Sequence, residues 1–388
     1  MENIPAEIIL CIADQLPRKR LKYVSEDPVG MDLYHFARVS RRFWEVLRPV
    51  LYRFLKLGLP FPPDKRIPQN QTPTSCSAST TKLIEAYGTY ARSLSLGLGI
   101  EHGGRAGQTR YSCKAVESSR DLLRGCKDLE YLRLWNDMIY DISFAPEMLQ
   151  VLASAIRYNR RLTRLDLNMW GSLETAAERI ALPEPPDLPV AARLERLSIL
   201  CVRESISMLY KIMGTLGPAA ESVTEVNIIL GCFGFQLETD MPWRCLDQAL
   251  VFPNLTSLTI AGERLIPEAI SPLSFITFEA PSLRELTLKF DVFVLGYGAM
   301  EKTLNELSTR FPTIEILRFR FAPTFCNPNA HLDNFEVILA DLAAKLPNLR
   351  KVMMQMPLNF GPEPPPRYFR INQHEGVKVV QRIDSKIC

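Results

Sequence analysis

A short apolar unit, L-x-x-L-x-L, recurs nine times at a mean spacing of about 32 residues, and nothing else in the sequence constrains the fold as strongly. The copies are Ala91-Leu94-Leu96, Leu129-Leu132-Leu134, Leu162-Leu165-Leu167, Leu194-Leu197-Ile199, Val223-Val226-Ile228, Leu255-Leu258-Ile260, Leu283-Leu286-Leu288, Ile314-Leu317-Phe319 and Leu349-Val352-Met354. Several are preceded by the same punctuation: Phe252-Pro253-Asn254, Ala280-Pro281-Ser282, Phe311-Pro312-Thr313 and Leu346-Pro347-Asn348. Between copies lie stretches with helical periodicity, at Ala145 to Asn159, Ser205 to Leu216, Gly298 to Phe311 and Asp333 to Leu346. Alternate side chains of a strand share a face, so the last two apolar positions of each unit point inward together. One strand and one helix cannot bury such a face alone, so the copies must stack. The expected class is α/β, an irregular curved solenoid with parallel strands inside and helices outside.

The first 55 residues read differently. Ile4-Pro5-Ala6-Glu7 is a helix start, with proline near the first helical position and an acid in the first turn. Ile8, Ile12 and Leu16 form a stripe at i, i+4, i+8, with Ile9 and Ala13 beside it, and Pro17 stops the helix. A polar insert from Arg18 to Gly30 follows. Asp32 can cap a second short helix carrying Leu33, Phe36 and Val39, and Ser40 a third ending near Pro49. Residues 56–81 are rich in Pro, Ser and Thr and read as a linker. The predicted organisation is therefore a helical domain at 1–55, a linker at 56–81, the solenoid at 82–360 and a proline-rich tail at 361–388.

Composition excludes some functions. Hydrophobic residues make up 47% of the 388, enough for a real core. Lys and Arg number 46 against 43 Asp and Glu, so no global basic field advertises nucleic acid. No apolar run approaches a membrane span, and Ile8 to Ala13 is too short, and preceded by Glu2 and Glu7, to be a secretory leader; cytoplasmic or nuclear residence is expected. The nine cysteines include no C-x-x-C pair and read as small buried hydrophobes. His35, His102, His331 and His374 stand apart, so no metal or other cofactor is expected. Gly97-x-Gly99 followed by Gly103, Gly104 and Gly107 departs from G-x-G-x-x-G at His102, and no nucleophile elbow is present.

Residues 4–53 resemble an F-box. The resemblance rests on the Pro-x-Glu-Ile start, the Leu16-Pro17 end of the first helix, the Asp32-Leu33 restart, the Val39-Ser40-Arg41-Arg42-Phe43 junction and the Pro49-x-Leu51-Tyr52 finish. The 13 residues from Arg18 to Gly30 replace the short turn usual in that family. Residues 91–357 resemble leucine-rich repeats, of longer period and without the Asn or Cys expected three places after the last leucine. Together these imply a non-catalytic substrate adaptor of an SCF-type (Skp–cullin–F-box) ubiquitin ligase. The F-box would dock a Skp-family adaptor, and through it a cullin; the repeats would hold a target protein for ubiquitination.

About fifty residues in three short helices cannot bury all their apolar side chains, and the surplus implies a partner. By family pattern the adaptor-contact residues are Ile4, Pro5, Ile8, Ile9, Ile12, Leu33, Val39 and Trp44. The target-face candidates point outward from the repeat strands: Tyr131, Arg133, Trp135, Arg164, Arg196, Arg318 and Arg320. Arg133, Arg164 and Arg196 come from successive repeats and suggest an acidic or phosphorylated target, because guanidinium forks fit carboxylate and phosphate. The alternatives are an F-box repeat scaffold acting outside ubiquitination, and a hydrolase built on the loop 97–107.

Overall fold

The computed structural model describes residues 4–15, 35–58, 86–97, 123–135, 146–169, 192–202, 212–231, 249–262, 278–291, 305–322, 332–355, 367–374 and 377–383. The protein is mixed α/β with a mostly parallel sheet. It divides into two compact units, Met1–Asp166 with Ala181–Arg193, and Leu167–Ile180 with Leu194–Cys388.

The first unit opens with helix α1 (Ala6–Gln15). The Pro5 carbonyl accepts from the amides of Ile8 and Ile9, so proline stands just ahead of the helix and loses no bond there. Helical residues 35–37 precede α2 (Arg41–Leu51). Ser40 caps α2, its Oγ accepting from the Phe43 amide at 3.2 Å. The helix runs to Leu51 and so ends near Pro49, as the sequence indicates. A proline in the last turn frees only the Glu45 carbonyl, and the Tyr52 amide still reaches the Arg48 carbonyl at 3.1 Å. Asp32 and Leu33 lie outside the described residues.

The chain leaves α2 directly into a strand, β1 (Phe54–Gly58), where the sequence predicts no strand but the end of the helical domain and the start of the linker. It pairs in parallel with β2 (Ser93–Gly97), Leu55 opposite Leu94 and Leu57 opposite Leu96. Tyr52, Leu55 and Leu57 thus stand where a further apolar unit would, one step before the first copy. Next come β3 (Tyr131–Trp135), parallel to β2, then α3 (Pro146–Tyr158) and β4 (Arg164–Met169), which begins in this unit.

In the second unit β5 (Arg196–Val202), β6 (Glu225–Gly231), β8 (Ser257–Gly262), β10 (Glu285–Asp291), β11 (Ile316–Ala322) and β12 (Lys351–Gln355) follow one another in parallel. Leu197, Val226, Leu258, Leu286, Leu317 and Val352 lie in one row across them. Two-residue strands β7 (Leu250–Val251) and β9 (Phe278–Glu279) pair separately, and helix α4 (Leu332–Lys345) precedes β12. Helical residues 212–216 and 305–310 fall within the other predicted helices. The expected tail carries β13 (Arg367–His374) and β14 (Val377–Ile383), an antiparallel hairpin added to β12.

The apolar positions of the repeats are buried from Ala91 to Val352, none of them exposed by more than 4%. Within each unit the backbone fastens successive copies together. The Glu195 carbonyl accepts from both Thr224 and Glu225 amides, and the carbonyls of Thr224, Thr256, Arg284 and Glu315 repeat the arrangement. Arg53, Arg92 and Glu130 do the same in the first unit. Side chains add a second set of fastenings just ahead of the strands. Ser222 donates to the Leu194 carbonyl, Asn254 to Glu221, Ser282 to Pro253, and Thr313 to Leu283, at 2.7–2.8 Å. At Asn254, Ser282 and Thr313 the residue after a proline supplies this inter-repeat polar bond, and at Ser222 the residue after Glu221 does.

Candidate partner-binding surfaces

The helical head has its own core. Ile9, Ala13, Ala37, Phe43, Leu47 and Leu51 are buried together, with Ile4, Phe36, Trp44, Val46, Val50 and Tyr52 packed against them. Phe36 meets Phe43 edge-on at 4.9 Å. The Arg42 Nε donates to the Ile4 carbonyl at 3.0 Å, which holds the start of α2 against the start of α1. Tyr52 stacks on Tyr87 at 3.8 Å, and Arg48 lies over the Tyr90 ring at 5.4 Å, so the foot of α2 is fixed to the segment leading into β2.

This core divides the predicted adaptor residues. Ile8, Ile12 and Val39 are 49%, 42% and 53% exposed, and Pro5 is exposed as well. Ile9 is fully buried, which corrects its assignment as a contact residue: it lies 100° around the helix from Ile8, on the face turned to Phe43 and Leu47. Ile4 and Trp44 are half-buried against the same core, and Leu33 falls outside the described residues. Leu10, at 37% exposure, is a further exposed apolar side chain of α1 outside the predicted set. It lies off the Ile8–Ile12 stripe on the other flank of Ile9, where an i, i+4 count from Ile8 does not look.

The strand face is less open at β2 and β3 than alternation predicts. Ser93 and Ser95 are buried although they alternate with inward leucines. Tyr131, expected to be exposed, is only 6% so. Its hydroxyl donates to Asp166 Oδ2 at 2.6 Å, and the Arg164 guanidinium covers its ring at 4.8 Å while pairing with the same carboxylate at 3.5 Å. Burial above all, then the Asp166 charge and hydrogen bond, push the phenol well above its ordinary range. Tyr131 thus ties β3 to β4 and is not an open contact residue.

The predicted arginines are mostly engaged within the chain. Arg196 pairs with Glu225 at 3.0 Å and Arg318 with Glu285 at 2.6 Å, in addition to the Arg164–Asp166 pair. Arg196 belongs to the second unit, whereas Arg133 and Arg164 belong to the first. Arg133 is half-buried on β3, and among the described residues no ion pair includes it. The side chains of Trp135 and Arg320 lie outside the described set. Three arginines already matched to carboxylates weaken the inference of an acidic or phosphorylated target, because a partner must displace or share those acids.

Cys126 is buried beside the first repeats, and burial pushes its thiol up to about 12. Cys11 is exposed on α1. Among the described residues no three His, Cys, Asp or Glu gather as metal ligands, and no helix is long and apolar enough to cross a membrane. Of the loop 97–107, only Gly97, at the end of β2, falls within the described residues. No family model matches the chain, and no curated protein matches it.

Proposed function

We propose that the chain is a substrate-recruiting, non-catalytic subunit of a cullin-based ubiquitin ligase acting in the cytoplasm or nucleus. Residues 4–53 serve as an F-box that docks a Skp-family adaptor, and the repeats serve as a leucine-rich-repeat solenoid whose strand face holds a target protein. Such a subunit accelerates ubiquitination by proximity, raising the effective concentration of target lysines near the activated ubiquitin. The observation that carries the reading is a small helical head that completes its own core and still leaves Ile8, Ile12 and Val39 in solvent. Exposed branched aliphatic side chains grouped on so small a module imply a covering partner.

The test is affinity purification of the full chain with a purified Skp-family adaptor and cullin. Pro5→Ala with Ile8→Ala should abolish capture of both, and undiminished capture would refute the docking role. Capture of the adaptor without the cullin would favour a scaffold outside ubiquitination.

A further inference from the structure

The head also carries a concentration of positive charge that the docking role does not use. Residues 35–58 hold Arg38, Arg41, Arg42, Arg48, Arg53 and Lys56 against one acid, Glu45, in a chain whose whole net charge is +3. Arg41, Arg42 and Arg53 are exposed. At 100° per residue Arg41 and Arg42 lie on the side of α2 away from the buried Phe43, Leu47 and Leu51, and Arg53 follows just beyond the end of the helix. Arg41 pairs with Glu45 at 3.0 Å, a surface pair worth little. Arg38 and Arg41 bracket exposed Val39 in the chain, and the Arg42–Ile4 bond sets the start of α2 beside the start of α1, one turn from Ile8.

We propose that this arginine side engages carboxylates on an acidic protein, the same partner that covers Ile8, Ile12 and Val39. The proposal rests on the docking reading above and names the chemistry of the partner's surface: an apolar pocket bordered by Asp and Glu. Charge complementarity decides for protein over the other polyanions. Nucleic acid phosphates would satisfy the arginines and leave the isoleucines in water. An anionic membrane wants cations on the inserted helix itself, but α1 carries only the acids Glu7 and Asp14, and the arginines sit on α2. A protein can supply apolar and anionic groups in the required order, with the charges chiefly speeding encounter.

The experiment measures association and dissociation rates of the full chain with a purified Skp-family adaptor, at about 50 mM and about 0.5 M salt, for wild type, Arg41→Glu with Arg53→Glu, and Ile8→Asp with Ile12→Asp. Neither arginine side chain supports the core, and the thermal midpoint checks each fold. The arginine variant should associate about tenfold more slowly at low salt, dissociate within about twofold of wild type, and match wild type at high salt. An arginine variant with wild-type rates at both salts, alongside an isoleucine variant that no longer binds, overturns the acidic-surface proposal and leaves docking intact. An isoleucine variant that binds normally defeats both. Tighter binding of the wild-type chain to a short DNA duplex or to phosphatidylserine vesicles than to the adaptor also overturns the proposal.

Discussion

The head and the repeats use the same aliphatic residues to opposite ends. In the second unit Leu197, Val226, Leu258, Leu286, Leu317 and Val352 form one buried row, each fixed by its neighbour's register. In α1, Ile8, Ile9 and Ile12 are chemically alike, yet one is buried and two are not. A strand in a stacked array has two faces, and repetition tells which is inward. A short helix with apolar residues on several sides has no such vote, and its partner, Phe43 or another protein, decides.

That contrast breaks first in the interior. Leu258→Ala or Leu286→Ala should cost about 2–5 kcal/mol, because the surrounding strands cannot collapse into the gap; chemical denaturation followed by circular dichroism measures it. Ile9→Ala should cost about 2–4 kcal/mol, whereas Ile12→Ala, on the same helix, should cost less than about 0.5 kcal/mol and weaken adaptor binding instead. Equal stability losses would erase the distinction between the two faces.

Polar fastenings give smaller effects. Tyr131→Phe leaves Asp166 without its buried donor and should cost about 1–3 kcal/mol. Thr313→Val removes one inter-repeat bond for about 0.5–1.5 kcal/mol. The smallest effect near neutrality comes from Cys126. Its thiol is raised in the fold to about 12, so the neutral form is the one the fold prefers. Its contribution is complete below the unfolded value, near 8.5–9, and is lost as pH climbs toward 12. At pH 7.5 a thiol reagent should label exposed Cys11 and leave Cys126 unlabelled until the chain unfolds.

Much of this was legible in the residues. The L-x-x-L-x-L copies located the strands, Ser40 the start of α2, and Pro146 the first turn of α3. Three things were not. β1 hid because Tyr52 and Arg53 belong to the helical pattern and the repeat at once. The Tyr131–Asp166–Arg164 knot hid because it joins residues about 35 apart that meet only when β3 and β4 pair. The pairing of Arg196 and Arg318 with acids on adjacent strands hid for the same reason. Alternation predicts which way a side chain points, and register decides whom it meets.

The most direct test of the docking claim is hydrogen exchange of the full chain with and without a purified Skp-family adaptor. The account predicts that amides of α1 and of residues 35–40 gain protection while β5 to β12 are unchanged. Protection confined to the strands, with α1 exchanging as in the free protein, would contradict it.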